Sequence, residues 1–320
     1  MYTVKLTFNY DLPIMRQTPR SSGVWGKYHF IIDDNLKEAD FWIIYTDHKL
    51  KKETVYCNPK NTIFIPAESK ATSPKFDQKF LDQFGKIVTV QRGLKHKNIM
   101  YSHNANPWYV DKTFDELKKL HIPKKTKLIS VICSNITTTK GHRDRLKFVN
   151  ELKKHFGSKL DVFGRGVRDF DDKWEVLKDY KYSIVLENDF KKDWVTEKIF
   201  DCFLAGTFPI YYGCPNLEKY VPKKYFQRIS IHNVKESIKT IEKLVNSDIF
   251  STRMKDAEER KKLALMETNF FPWIANILDQ MDPTLEKIPF KFTPNRFTQP
   301  LTIFQRINRK AKKILWQKKS

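Results

Sequence analysis

Apolar residues along this chain fall into short runs separated by charged stretches, and the spacing changes character after the first third. Up to residue 120 the runs read as strands at 4–8, 39–45, 62–65 and 87–90, with helical spacing at 74–84 and 112–120. A charged, proline-containing stretch at 120–127 has no periodicity and reads as a linker. Beyond it the alternation becomes regular. Runs at 128–133, 160–164, 183–187, 207–212 and 228–231 read as strands, and helical spacing marks 141–156, 174–180, 196–204, 235–246, 250–268 and 271–281. Strands alternating with helices of this length imply a parallel sheet with both faces covered. Pro283, Pro289, Pro294 and Pro300 then mark an irregular connection to a basic end. The expected division is 1–122, 124–281 and 282–320, with no internal repeat.

Composition narrows this picture. A chain of 320 residues, 40% hydrophobic and 14% aromatic, can bury a proper core and is not disordered. No apolar run approaches the roughly 20 residues that span a bilayer. The N-terminus enters a strand with no signal-peptide pattern, so the expectation is a protein kept in the cytoplasm. Cys57, Cys133, Cys202 and Cys214 are widely spaced and read as buried free thiols rather than a disulfide framework or zinc site. The net charge of +22 calls for an anionic partner: nucleic acid, membrane surface or phosphorylated ligand. Seven of those charges (Arg306, Arg309, Lys310, Lys312, Lys313, Lys318 and Lys319) sit in the acid-free segment 301–320.

The chemistry concentrates at 180–213. The run Ser183-Ile184-Val185-Leu186 is apolar throughout and delivers Glu187 and Asn188 to a strand's carboxyl end, where parallel sheets bind ligands. Thr196 fits the N-cap of the next helix, whose free N–H groups and dipole favour an anion such as a diphosphate. Lys198 adds positive charge there, and Glu197 can accept hydrogen bonds from sugar hydroxyls. Spacing alone fits equally well a capped helix with a solvated Glu–Lys face. Arg143 and Arg145, on the helix before, read from spacing as its exposed face.

Three linked blocks carry a resemblance. Glu187-Asn188, then Trp194-Val195-Thr196-Glu197-Lys198, then Phe208-Pro209-Ile210-Tyr211-Tyr212-Gly213 followed by Tyr220-Val221-Pro222, resemble the signature region of the glycosyltransferase family 10 fucosyltransferases, here of bacterial type. Upstream, Ser134-Asn135, an arginine-bearing helix and Leu160-Asp161-Val162-Phe163-Gly164-Arg165-Gly166 are similar to the same family. Arg145 best matches the family arginine that holds the donor diphosphate, with Arg143 as the alternate register. Trp194 stands where the family has tyrosine, so an indole N–H replaces the phenol and can donate but not accept.

The resemblance implies an α/β protein of GT-B architecture: two Rossmann-like domains facing a central cleft, with the acceptor on 1–122 and the donor on 124–281. The implied reaction moves L-fucose from GDP-fucose to a saccharide hydroxyl with inversion, the α-1,3 linkage being the one expected. Glu68, after Phe64-Ile65-Pro66-Ala67, matches a family acid near the acceptor and is the candidate base; the other reading is an exposed loop glutamate. His103, in Ser102-His103-Asn104-Ala105-Asn106-Pro107-Trp108, could line the acceptor cleft or be a structural histidine. Lys198, Arg145 and the Thr196 helix end would neutralise GDP, while Asn188, Glu197 and Trp194 would position the donor; Ser134, Asn135 and Glu187 complete the candidate set. No metal–diphosphate motif is read in the chain, so no cofactor or metal is expected.

Phe304, Ile307, Ala311, Ile314 and Leu315 recur at helical spacing among the basic residues of the tail, the composition of an amphipathic helix drawn to anionic lipid. A helix docked on its own domain is the alternative. With a glycan acceptor and cytoplasmic synthesis, these features suggest an enzyme of bacterial surface polysaccharide or lipopolysaccharide, peripheral on the inner membrane face. Two competing readings stand beside it: a GT-B transferase using another nucleotide sugar, and a basic nucleic-acid-binding protein, which the absence of any nucleic-acid motif disfavours.

Overall fold

The computed structural model describes residues 1–45, 50–68, 75–247 and 249–295. The chain forms two compact units: Met1–Asn104 with the described residues from Ile274 onward, and Ala105–Trp273.

The first unit holds β1 (Tyr2–Phe8), β2 (Val24–Trp25), β3 (Tyr28–Ile31), β4 (Phe41–Tyr45), β5 (Glu53–Tyr56), β6 (Thr62–Ile65), β7 (Lys86–Thr89) and β8 (Ile99–Tyr101). All but β5 join one sheet in the order β2-β3-β1-β4-β6-β7-β8, parallel except for the β2–β3 pair. β4 and β6 are buried at every position, which is why their sequences are apolar without alternation. The short helix α1 (Gln78–Leu81), capped by Asp77, sets Phe80 beside Phe64, Phe84 and Trp42 in the core of this unit.

The second unit opens with α2 (Phe114–Lys119), started by a Thr113–Glu116 capping box. Then follow β9 (Lys127–Ile132), α3 (Lys140–Phe156), β10 (Leu160–Phe163), β11 (Tyr180–Leu186), α4 (Glu197–Leu204), β12 (Phe208–Tyr212) and β13 (Gln227–Arg228). The helices α5 (Val234–Val245), α6 (Ile249–Met254) and α7 (Ala257–Met266) follow, and α8 (Phe270–Leu278) runs across the boundary between Trp273 and Ile274. The sheet is fully parallel, in the order β10-β9-β11-β12-β13. Strand order reverses between β9 and β11, so a topological switch point lies at their carboxyl ends. The apolar stripe of α3, Phe148, Val149, Leu152 and Phe156, packs with Ile129, Val131, Ile184 and Ile210 of the sheet.

Within α8, from Ile274, the chain returns to the first unit. β14 (Pro289–Phe292) pairs antiparallel with β5, and Phe290 and Phe292 enter the core around Trp42. Two parallel α/β units are what the GT-B class is made of, and the α/β expectation holds for both.

Several boundaries differ from the sequence reading. The division falls near residue 104 rather than at 122, because 105–120 belongs with the second unit: Tyr109 N–H donates to Asp201 (3.0 Å) and Asp111 N–H to Asp172 (2.9 Å). The stretch read as a linker is pinned in place. Lys125 Nζ donates to the carbonyls of Lys178 (2.6 Å) and Ala205 (2.5 Å), and Lys261 Nζ to that of Leu120 (2.6 Å). Residues 174–179 form successive turns rather than a helix, and Tyr180 already opens β11; the Thr207 hydroxyl donates to the Leu177 carbonyl within these turns (2.7 Å). The helix expected over 250–268 breaks at Lys255–Asp256, where Lys224 Nζ holds the Asp256 carboxylate at 3.1 Å. The amphipathic helix expected at 301–320 lies outside the described residues.

Candidate active site

β11 ends inside the second unit with Leu186, and the next residue, Glu187, is buried. Its carboxylate accepts from the Thr196 N–H (2.9 Å), from the Thr196 hydroxyl (2.8 Å at the closer oxygen) and from Lys198 Nζ (3.2 Å). Lys198 Nζ also donates to the Thr196 hydroxyl at 2.8 Å. Glu187 therefore braces the start of α4 from beneath. Thr196 occupies the N-cap position, but its hydroxyl serves Glu187 and makes no cap bond. That corrects the expected cap: the free N–H groups of the first turn are left without a threonine oxygen. Gly213 makes room for the brace, because a Cβ there would lie 2.4 Å from Glu187 Cγ and its φ of +155° suits glycine.

α4 is buried nearly all round, yet it carries Glu197 and Asp201 one turn apart on one face. Lys173 Nζ bridges them, 2.9 Å from Glu197 and 2.7 Å from Asp201. Burial pushes the Glu197 carboxyl up, but Lys173 and Lys198 outweigh it and bring it down to about 2. Burial pushes Asp201 above its ordinary value, against the attraction of Lys173. Burial opposes the charge on Lys173, and the two acids more than offset it, raising its pKa. A cavity of about 140 Å³ lies here, lined in part by Ser183, Leu186, Lys173, Glu197, Lys198 and Asp201.

Arg145 reaches the same strand end from α3. It is buried rather than on the exposed face, and its guanidinium donates to the carbonyls of Gly141 (3.3 Å) and Leu186 (3.4 Å). A Cβ at Gly141 would meet the Asn188 carbonyl at 2.4 Å, so this glycine lets the start of α3 approach the loop after β11. Asn188 itself is exposed. Arg143 is turned to the outer side of α3, where it donates to the Thr137 carbonyl (2.9 Å) and lines a surface groove with Lys147 and Lys154. Ser134 and Asn135 follow β9 across the switch point. Trp194 is buried, and its indole N–H meets no acceptor among the described residues.

Residues 122–254 match the family model described as glycosyltransferase family 10 (fucosyltransferase), C-terminal. Over that stretch the chain is similar to the glycosyltransferase family 10 domain. Among curated relatives, a putative fucosyltransferase-like protein of Arabidopsis thaliana is 36% identical over 104 residues, 31% of this chain and 20% of that protein. Alpha-(1,3)-fucosyltransferase B of Drosophila melanogaster is 24% identical over 242 residues, 68% of this chain and 51% of that protein. The human 4-galactosyl-N-acetylglucosaminide 3-alpha-L-fucosyltransferase 9 is 30% identical over 117 residues, 35% of this chain and 31% of that protein. The matches thus span about half or less of these relatives' lengths. A crystal structure of an alpha1,3-fucosyltransferase with GDP superposes with a TM-score of 0.46 at 14% identity, over 85% of this chain and 92% of that one.

Within the matched stretch the structure gathers Arg145, Glu187, Thr196, Glu197 and Lys198 at one sheet end, with Asn188 at the adjoining surface. The candidates outside it belong to the first unit. Glu68 follows the carboxyl end of β6 and is half-buried; Gln91 donates to its carbonyl (3.1 Å), and Asn104 to that of Pro66 (2.9 Å). His103 is buried at the end of β8. Among the described residues no three His, Cys, Asp or Glu side chains come together as a metal-holding group.

Sequence reasoning missed Lys173, Asp201 and a second brace. Asp193, with φ of +65°, exchanges hydrogen bonds with Asn216 (2.8 and 2.9 Å) and accepts from Tyr220, fixing the turn that leads to Trp194. One signal was available: an aspartate in the otherwise apolar run Ile199-Phe200-Asp201-Cys202-Phe203-Leu204 must be paired if buried.

Proposed function

We propose that this chain transfers L-fucose from GDP-fucose to a hydroxyl of a glycan, with inversion and most simply in an α-1,3 linkage. The observation that carries the reading is the arrangement at the switch point within the stretch that matches family 10. Lys198 and Arg145 offer positive charge there, beside helix N–H groups that the Thr196 hydroxyl leaves uncapped. A diphosphate fits such a site through charge-assisted contacts. Glu197, held ionised, is an acceptor for ribose or fucose hydroxyls, and the Trp194 N–H is an available donor.

In the proposed reaction a carboxylate base, Glu68, takes the proton of the acceptor hydroxyl. That oxygen attacks the anomeric carbon of fucose from the face opposite the diphosphate, and GDP leaves with its charge met by Lys198 and Arg145. No metal is assigned a role, so turnover is expected to persist in EDTA. The chain is further proposed to act at the cytoplasmic face of an anionic membrane on a bacterial surface glycan, the support being the basic amphipathic sequence of 301–320.

A transferase using another nucleotide sugar would share the phosphate-facing residues. GDP or UDP release measured in parallel with GDP-fucose, GDP-mannose and UDP-sugars, over a panel of acceptor glycans, separates the two. Turnover of GDP-fucose is the expected outcome, and turnover confined to another donor would sink the fucose reading.

A further inference from the structure

We propose that Lys173 is a positioning residue of the donor site: lodged between Glu197 and Asp201, it holds Glu197 fixed as a hydrogen-bond acceptor at the first turn of α4. This rests on the donor reading above and adds the device that makes Glu197 usable.

The argument starts from charge and burial. Glu197 and Asp201 lie on one face of a helix whose other positions, Lys198 apart, are apolar, and their side chains are 12% and 1% exposed. Two buried carboxylates one turn apart repel, and without a cation one would take up a proton. Lys173 supplies that cation from the turns before β11, at hydrogen-bond distance from both acids. It is itself located: the ring of Tyr109 lies 4.9 Å from its Nζ, and the Tyr109 N–H fills the second oxygen of Asp201. The nearer cation in sequence also acts on Glu197, but more weakly. Lys198 stands 3.8 Å from Glu197 and 3.2 Å from Glu187, whose charge it already meets.

These groups account for the charge around Glu197 from each packed element: Lys173 from the turns, Tyr109 from the segment before α2, Glu187 beyond β11, and Lys198 and Asp201 from α4. Cys202, next to Asp201, is pushed up by burial to about 12 and stays neutral. Glu197 is thereby an acceptor-only carboxylate at neutral pH. With Lys173 gone, burial and Asp201 would make it partly protonated and less able to take hydrogen bonds from a sugar.

The test uses the full chain. Lys173→Met, Lys173→Arg and the double variant Lys173→Met/Asp201→Asn are compared with the parent for GDP-fucose binding by calorimetry across pH, with the melting temperature of each recorded. The parent should bind evenly across the range. Lys173→Met should bind roughly tenfold more weakly at about pH 6, with the gap closing toward about pH 8 as the orphaned carboxyl ionises. Lys173→Arg, for which the 140 Å³ cavity leaves space, should restore the even profile. The double variant removes the repelling acid and should narrow the gap; it is the arm to read if Lys173→Met does not fold. Wild-type binding by folded Lys173→Met at every pH overturns the proposal. So does a loss independent of pH, which is what a purely structural role gives. If the parent binds no GDP-fucose, the donor reading fails by itself. NMR titration of the Glu197 carboxyl in ligand-free parent and Lys173→Met then decides the coupling, and equal titration in both would overturn it.

Discussion

Gly213 is a residue whose loss should be felt at a distance. Alanine there would set a Cβ 2.4 Å from Glu187 Cγ and 2.7 Å from the Tyr211 hydroxyl, in a backbone conformation that side chains rarely adopt. Gly213→Ala should cost about 1–3 kcal/mol in urea unfolding. It should also weaken donor binding by displacing the Glu187 brace under Thr196 and Lys198. Glu197 supplies a pH signature. Its folded carboxyl lies near 2 against an ordinary 4.5, so the stability it contributes is full above about 4.5 and is lost as pH falls toward 2. Urea midpoints at about pH 5 and about pH 3 should therefore separate strongly in the parent, and less in Lys173→Met, where the larger of the two cationic causes is removed and Lys198 remains. At this scale the sequence was legible where chemistry is contiguous, as in Thr196-Glu197-Lys198. It was not legible where a partner comes from elsewhere, because nothing local distinguishes Lys173 from the many other lysines. Glu187 was legible as an acid at a strand end but not as a brace, since only folding shows its carboxylate turned toward Thr196.

Among the elements, α4 is held at both ends by polar groups from other parts of the chain. Its start rests on Glu187. Its end is tied by Lys125, whose Nζ donates to the carbonyls of Ala205 and Lys178 and, at 3.3 Å, to the Thr207 hydroxyl. Lys125→Met keeps the apolar stem and removes the donors, leaving those oxygens without the partner they share. A loss of about 1–3 kcal/mol in urea unfolding is expected, and an unchanged midpoint would remove Lys125 from this role. The apolar strands β4, β6, β9, β11 and β12 were readable because burial on both faces demands unbroken hydrophobic runs. β2, β3, β5, β8 and β14 were not. They are two to four residues long and mixed in polarity, and their pairing is decided by tertiary contacts rather than by local pattern.

For the whole molecule, the two-unit plan was legible from the change in alternation, but the return of the chain was not. Prolines at 283, 289 and 294 read as an irregular connector, and yet β14 carries Phe290 and Phe292 into the first unit. Truncations should separate these stretches. A chain ending at residue 300 should keep its melting temperature and its turnover, and lose binding to anionic vesicles in a sedimentation assay. Vesicle binding that survives would refute the membrane role of 301–320. A chain ending at residue 286 should lose thermal stability sharply, since each core phenylalanine removed costs about 3–5 kcal/mol.

The β5–β14 pairing also sets an order of events during synthesis. The second unit is one unbroken stretch, 105–273, and has everything it needs to fold as soon as it clears the ribosome. The first unit begins earlier but cannot finish until β14 has emerged, some 230 residues after β5. During that interval its sheet waits with the Trp42 side of its core uncovered. The half of the chain made first is therefore the half completed last, and the one a chaperone would most need to shield.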